Sequence, residues 1–266
     1  MNETLVLCYH AVSPGWSERV NVPPDALERQ LRILLRRGYR PATYTEAVLA
    51  PPHRRTLAVT FDDAYRSVAV HARPVLDALG VPATVFAPTR WVGDAEPMSL
   101  AAAEWRGTRF ENELACMGWD ELRALADAGW EIGSHTVTHP MLTHIARDDA
   151  LREELTASRA TLEQALGRPC RALAYPYGDF DARVARAARE AGYETACTLF
   201  PGLIAAPRAH EVPRVAISRH HGDRAFAVKT SRTVRRIRTL ELPGPVERAL
   251  YRLRPIDPPK RPGADA

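Results

Sequence analysis

Two features of the 266-residue sequence predict an α/β protein whose parallel strands close into a barrel. The first is a recurring phrase in which an amphipathic run ends in Gly and passes into an extended stretch. It occurs as LLRRGYR (34–40), LDALGVP (76–82), LADAGWE (125–131) and AREAGYE (188–194). Gly is favoured just past a helix end because it accepts a left-handed backbone, so each phrase reads as a helix handing over to a strand. Repeated hand-offs of this kind imply βα units and a helix-flanked parallel sheet. The second feature is number: seven strand-like stretches alternate with helices, which suits a ring better than a flat sheet.

In chain order, strands are predicted at Leu5–Tyr9, Thr56–Phe61, Ala83–Ala87, Trp130–Ser134, Ala172–Tyr175, Glu194–Leu199 and Val212–Ile217. Helices are predicted at Pro24–Arg37, Ser67–Leu79, Asp120–Ala128, Arg147–Leu166 and Asp181–Ala191. Arg147–Leu166 has the clearest period, with Leu151, Leu155, Leu162 and Leu166 on one face. Residues 88–118, with Trp91 and Trp105, form a long connection of the sort that tends to serve sites. Residues 1–222 are read as the barrel, and 223–266 as a basic, proline-punctuated C-terminal extension.

Composition narrows the function classes. The apolar share of 45% supports a sizeable core, and no run of about 18 apolar residues is present to span a membrane. The start, MNETLVLCYHAV, lacks a basic region and reads as a first strand rather than a secretory signal. Cys8, Cys116, Cys170 and Cys197 form no CxxC pair, and buried free thiols in a reducing compartment are expected. A cytoplasmic protein is therefore predicted. The formal charge of +4 is unevenly spread: residues 219–262 hold twelve Lys/Arg against four Asp/Glu, a balance of +8, and the remainder carries −4. The body thus has no need of a polyanionic partner. In the segment 226–255, Arg232, Arg235, Arg236, Arg238, Arg248, Arg252 and Arg254 interleave with Val234, Ile237, Leu240, Leu250 and Leu253. Such a segment can lie on an anionic membrane surface. The alternative is a solvated helix covering one end of the barrel. Few aromatic residues are available there to stack on bases, which argues against nucleic acid.

Chemistry gathers at predicted strand ends. In LAVTFDDAYRS (57–67) an apolar strand runs into Asp62 and Asp63. The carboxyl ends of parallel strands form the usual active face. A helix N-cap would need only one Asp. Two neighbouring carboxylates repel unless a cation or an Arg lies nearby. In SHTVTHP (134–140) His135 also leaves a strand end and His139 follows in the loop. That pair alone is weak evidence. One Asp and two His on the same face, however, make a three-ligand site with open positions, suited to Zn²⁺ or Fe²⁺. The third stretch, LAYPYGDFD (173–181), is a strand running into a Pro-Gly turn, which by itself is ordinary.

TFDDAYRS, SHTVTHP and YPYG in that order resemble the motifs of the polysaccharide deacetylases of carbohydrate esterase family 4, over about residues 5–218. The resemblance implies a distorted (β/α)₇ barrel that hydrolyses N-acetyl groups on amino sugars with a divalent metal, usually zinc. By position, Asp63, His135 and His139 would be the ligands, Asp62 the general base, and Tyr177 the backbone N–H donor to the oxyanion. The sequence departs from the family pattern in three places. Ala174 stands where the third motif usually has the Arg that braces the base, and Ala64 stands where Gly usually follows the aspartates. No Leu-x-His follows the last strand to supply the general acid. His10, closing LVLCYH, can take that place from the neighbouring first strand, as in the poly-N-acetylglucosamine deacetylase branch; His210 and His220 are the alternatives. Arg214, in VPRVAI at the end of the last strand, can replace the missing Arg. Competing readings are an O-acetyl esterase on the same site, a metal-retaining sugar-binding module without catalysis, and an iron oxygenase. The oxygenase would need a His-x-Asp motif on a β-fold, which is lacking. The expected partner is an N-acetylated carbohydrate.

Overall fold

A computed structural model of the chain describes residues 3–94, 107–199 and 209–239. Trp105 and the part of the basic extension beyond residue 239, including Leu240, Arg248, Leu250, Arg252, Leu253 and Arg254, lie outside them.

The strands form where apolar runs can be buried on both faces. They are β1 (Glu3–Tyr9), β2 (Arg40–Ala42), β3 (Arg55–Phe61), β4 (Ala83–Ala87), β5 (Glu131–Ser134), β6 (Ala172–Ala174), β7 (Thr195–Cys197) and β8 (Val215–Ala216). The α-helices are α1 (Pro24–Arg36), α2 (Tyr44–Leu49), α3 (Arg73–Leu79), α4 (Trp119–Asp127), α5 (Asp148–Leu166), α6 (Ala182–Glu190), α7 (Asp223–Lys229) and α8 (Arg232–Thr239). All four predicted hand-off glycines, Gly38, Gly80, Gly129 and Gly192, have positive φ, as a helix stop requires. Leu151, Leu155 and Leu162 of α5 are buried, with Ser158 between them, whereas Leu166 is only partly buried against the core.

Every strand pairing is parallel, in the order β7-β6-β5-β4-β3-β1-β8, with β2 beside the first half of β3. The last segment closes the ring in two parts. Val212 bridges Cys197 of β7, and β8 pairs with β1. The fold is thus a distorted (β/α)₇ barrel with β2 as a short addition. Where one strand was expected over Val212–Ile217, the chain changes partner midway, so only Val215 and Ala216 form a regular ladder with β1. The expected helix 67–79 begins as a π-turn, Val68–Ala72, before α3.

The apolar side chains of the strands form two layers. Leu5, Leu7, Leu57, Val59, Val85 and Leu173 belong to the large core cluster that also takes in helix residues such as Leu27 and Leu155. Their neighbours Val6, Ala58, Phe86, Ala172, Ala174, Cys197 and Val212 form a separate cluster with Tyr44. That split follows from strand period 2. The second cluster is tight around Phe86, whose register partner is Gly133. A Cβ on Gly133 would lie 2.6 Å from the Phe86 ring. Gly133→Ala should therefore lower stability by about 1–3 kcal/mol through overpacking, read as a lower melting temperature. An unchanged melt would show that the ring moves aside.

The beginning of the basic extension packs on the barrel. Phe226 of α7 is fully buried, and Gln30 and Arg37 of α1 and its end donate to the carbonyls of His221 (3.1 Å) and Ala227 (3.2 Å). Arg235 of α8 is buried, donating to Glu3, to the Thr4 carbonyl (3.1 Å) and to the Tyr39 hydroxyl (3.0 Å). One of the arginines read above as surface-facing thus holds the start of β1. Among the described residues no helix is long and apolar enough to cross a membrane. The four cysteines are buried and unpaired.

Candidate active site

His10 follows β1, Asp62 and Asp63 follow β3, His135 follows β5, and Tyr177 lies in the turn after β6. All five sit at carboxyl ends of strands, on one face of the barrel. Among the described residues only five non-glycines have positive φ: Asp63 (68°), Ala64 (50°), Thr136 (68°), His139 (60°) and Tyr177 (60°). Every one belongs to the three motifs. Left-handed backbone is costly for a residue with a Cβ, and its concentration here marks a place where geometry is over-determined by its surroundings.

The hydroxyls of SHTVTHP hold that geometry. Ser134 Oγ accepts from the Thr136 N–H (3.1 Å) and Thr136 Oγ1 from the His139 N–H (3.1 Å). Glu154, on α5, accepts from the backbone N–H groups of Val137 and Thr138 (2.9 Å each) and from the Thr138 hydroxyl (2.6 Å). Sequence reading had no signal for Glu154, because its helix lies outside the motif.

His135 and His139 present Nε2 atoms 3.2 Å apart, and Asp63 Oδ1 lies 3.5 Å and 3.4 Å from them. His135 uses its Nδ1 against the Ala174 carbonyl (2.8 Å), which leaves Nε2 turned to the group. Asp63 Oδ1 is buried without a hydrogen-bond partner. Burial, then the charge of Asp62, pushes the Asp63 carboxyl up to about 8. Burial holds both imidazoles below their usual value, hence neutral, the ligating form. Metal bonds of about 2.0–2.1 Å at tetrahedral angles place ligand atoms about 3.3 Å apart. The trio fits a small divalent cation, which would supply the charge the buried carboxylate lacks.

Asp62 belongs to a second group. Arg214 grips it with two bonds of 2.7 Å, from Nη1 to Oδ1 and from Nη2 to Oδ2, with both residues nearly inaccessible at 0% and 2% side-chain exposure. Arg214 also donates to Thr60 Oγ1 (2.9 Å) and the Thr198 carbonyl (3.2 Å), and its guanidinium carbon is 5.5 Å from the Phe86 ring centre. Burial alone would raise the Asp62 carboxyl, but Arg214 reverses this and holds it well below the usual carboxylate range. Arg214 is not at the end of the last strand as expected. It precedes β8, at the change of partner, and its long side chain crosses to the carboxylate.

Cys8 is the neighbour that sequence reading treated as structural. Its thiol donates to Asp62 Oδ2 at 3.4 Å. Period 2 along LVLCYH puts Cys8 on the same side of β1 as His10, and that parity was readable. His10 is partly exposed; burial pulls its imidazole down to about 4, with Asp62 opposing, so it is neutral. Of the alternatives, His210 is buried with Nε2 against the Tyr193 carbonyl (2.9 Å), before β7, and His220 is exposed. Tyr177 packs its ring edge-on to His139, centres 4.8 Å apart.

Parallel strands ringed by helices, with acidic and imidazole side chains gathered beyond the strand ends, define a β/α barrel with one candidate site at its carboxyl face. The chain belongs to the polysaccharide deacetylase family, which it matches over residues 50–196. It is 25% identical over 227 residues to YxkH of Bacillus subtilis (strain 168), covering 83% of this chain and 74% of that one. It is 23% identical over 265 residues to the poly-β-1,6-N-acetyl-D-glucosamine N-deacetylase of Escherichia coli (strain K12). That match covers 85% of this chain but 38% of the relative, so the chain spans well under half of that enzyme. Among solved structures, IcaB from Ammonifex degensii superposes with a TM-score of 0.71 at 26% identity, over 87% of this chain and 98% of that one.

Proposed function

We propose that the chain removes N-acetyl groups from an amino-sugar-containing glycan or glycan precursor with the help of a divalent metal, best suited to Zn²⁺. The observation that carries this reading is the pairing of two groups: a trio of ligand atoms 3.2–3.5 Å apart beside a carboxylate fixed by Arg214. Asp63, His135 and His139 are proposed as ligands. A cation there would polarise the acetyl carbonyl and lower the pKa of bound water. Asp62, kept ionised by Arg214, is proposed as the acceptor of the proton of the attacking water. A sugar-binding module would have no need of that second, unliganded carboxylate. The Tyr177 backbone N–H is the proposed donor to the tetrahedral oxyanion, and its left-handed φ of 60° sets the direction of that turn. His10 is proposed to protonate the leaving amine; being neutral at rest, it must gain its proton during turnover. The relatives named above, one an N-deacetylase of an amino-sugar polymer, support the substrate class.

Acetate release from N-acetylglucosamine oligomers and from O-acetylated sugars, with and without chelator, tests the reading. We expect release from the N-acetylated substrate that chelation abolishes and Zn²⁺ restores. Release from O-acetylated sugars alone would make the chain an esterase, and chelator-resistant release would remove the metal from the mechanism.

A further inference from the structure

We propose that Cys8, His10 and Asp62 form a second cation site, separate from the Asp63 trio, which takes thiophilic divalent ions and inhibits the enzyme when they bind. The three residues each place one ligand atom within 4.8 Å of the others, and none belongs to the Asp63, His135 and His139 group. Cys8 is fully buried and Asp62 is 1% exposed, so the partly exposed His10 is the entrance. The buried His10 Nδ1 has no hydrogen-bond partner. Buried polar atoms without partners are rare, and an unseen ion is one of their ordinary explanations.

The donor set decides which cations fit. Sulfur, imidazole nitrogen and a carboxylate oxygen favour Zn²⁺ and its softer relatives over Mg²⁺ or Ca²⁺, which prefer oxygen. Arg214 sharpens the choice. Its guanidinium already holds both Asp62 oxygens at 2.7 Å, so a hard cation would meet a carboxylate whose charge is largely answered. Only an ion that gains strongly from a thiolate bond overcomes that repulsion. On binding, the Cys8 S–H bond breaks, a sulfur–metal bond forms and the proton leaves to solvent, with no change of oxidation state. A coordinating thiol is deprotonated outright even where burial keeps the free thiol protonated, as it does for Cys8. The bound ion would hold the lone pairs of Asp62 and His10, the two groups proposed above to move protons.

Cd²⁺ titration of the full chain, after one equivalent of Zn²⁺ has been bound and the excess removed, tests this by the ultraviolet thiolate-to-cadmium charge-transfer band. In the wild type the band should grow to saturation, with proton release into weakly buffered solution. Cys8→Ser should abolish the band and weaken Cd²⁺ binding by about 10–100-fold or more; Cys8→Ala serves the same purpose should the hydroxyl prevent folding. His10→Ala should weaken Cd²⁺ binding while the sulfur band remains at saturation. A wild type without the band overturns the site, and so does a band of full size in the Cys8 variants, which would place the thiolate at Cys116, Cys170 or Cys197. Acetate release in excess Cd²⁺, relative to each variant's own rate without it, should fall in the wild type and not in Cys8→Ser. The optical result stands whether or not acetate is the product.

Discussion

Asp63→Asn, His135→Ala and His139→Asn should each lose bound zinc and deacetylase activity together. Asn is chosen at 63 and 139 because both backbones are left-handed, at 68° and 60°, and Asn tolerates that conformation where Ala does not. The three ligand atoms lie within 3.5 Å of one another, and three protein ligands are the usual complement of a catalytic zinc site. Loss of one should lower metal affinity by more than the roughly 10–100-fold typical of a supporting residue. Metal content of dialysed protein and acetate release report the two quantities. In chelator, Asp63→Asn should melt no lower than the wild type, because it removes a buried carboxyl whose charged form is disfavoured. Zinc retained at wild-type occupancy in all three variants would end the assignment.

Asp62→Asn should reduce the rate by about two to four powers of ten, the usual worth of a general base. It should also destabilise the fold. Arg214 is fully buried, and removing the charge it pairs with leaves an uncompensated guanidinium, a loss of about 3–5 kcal/mol. The double variant Asp62→Asn/Arg214→Met should regain much of that stability and none of the activity. The pH dependence follows the same pair. Because the Asp62 carboxyl is held below its usual value, its contribution is complete above the ordinary carboxylate range and disappears as pH falls through the lower folded value. The double variant should lack that part of the acid sensitivity. Full activity in Asp62→Asn would move the base elsewhere.

The barrel could be read from local chemistry because its helix ends are written in single residues. Gly38, Gly80, Gly129 and Gly192 each needed a backbone that other residues avoid. β2 escaped because three residues carry no period, and α2 escaped although its signal was present: Thr43 and Glu46 form a capping box. The convergence of Asp63, His135 and His139 was legible because strand ends deliver side chains to one face and each motif names its own strand. The grip of Arg214 on Asp62 was a matter of pattern matching, since 152 residues separate them and only the closed ring sets their distance. Cys8 was missed because a buried thiol in a strand is ordinary until its neighbour is known to be a carboxylate. The left-handed turns at Ala64, Thr136 and Tyr177 had no local signal, as none is Gly.

The joint at which the ring shuts has a kinetic consequence. Val212 holds β7 and Val215 holds β1, so the residue between them that steadies Asp62 arrives only when the last segment docks. Contacts of such sequence separation form late, because the loop entropy must be overcome before they return any stabilisation. A nascent chain that had assembled β1 to β7 would carry Asp62 without its counter-charge, and under the proposed mechanism it should be inactive whatever metal it held. Native fluctuations that lift residues 209–217 would recreate that condition without melting the other strands. Hydrogen exchange along this segment and loss of turnover should then share one temperature dependence, below that of global unfolding.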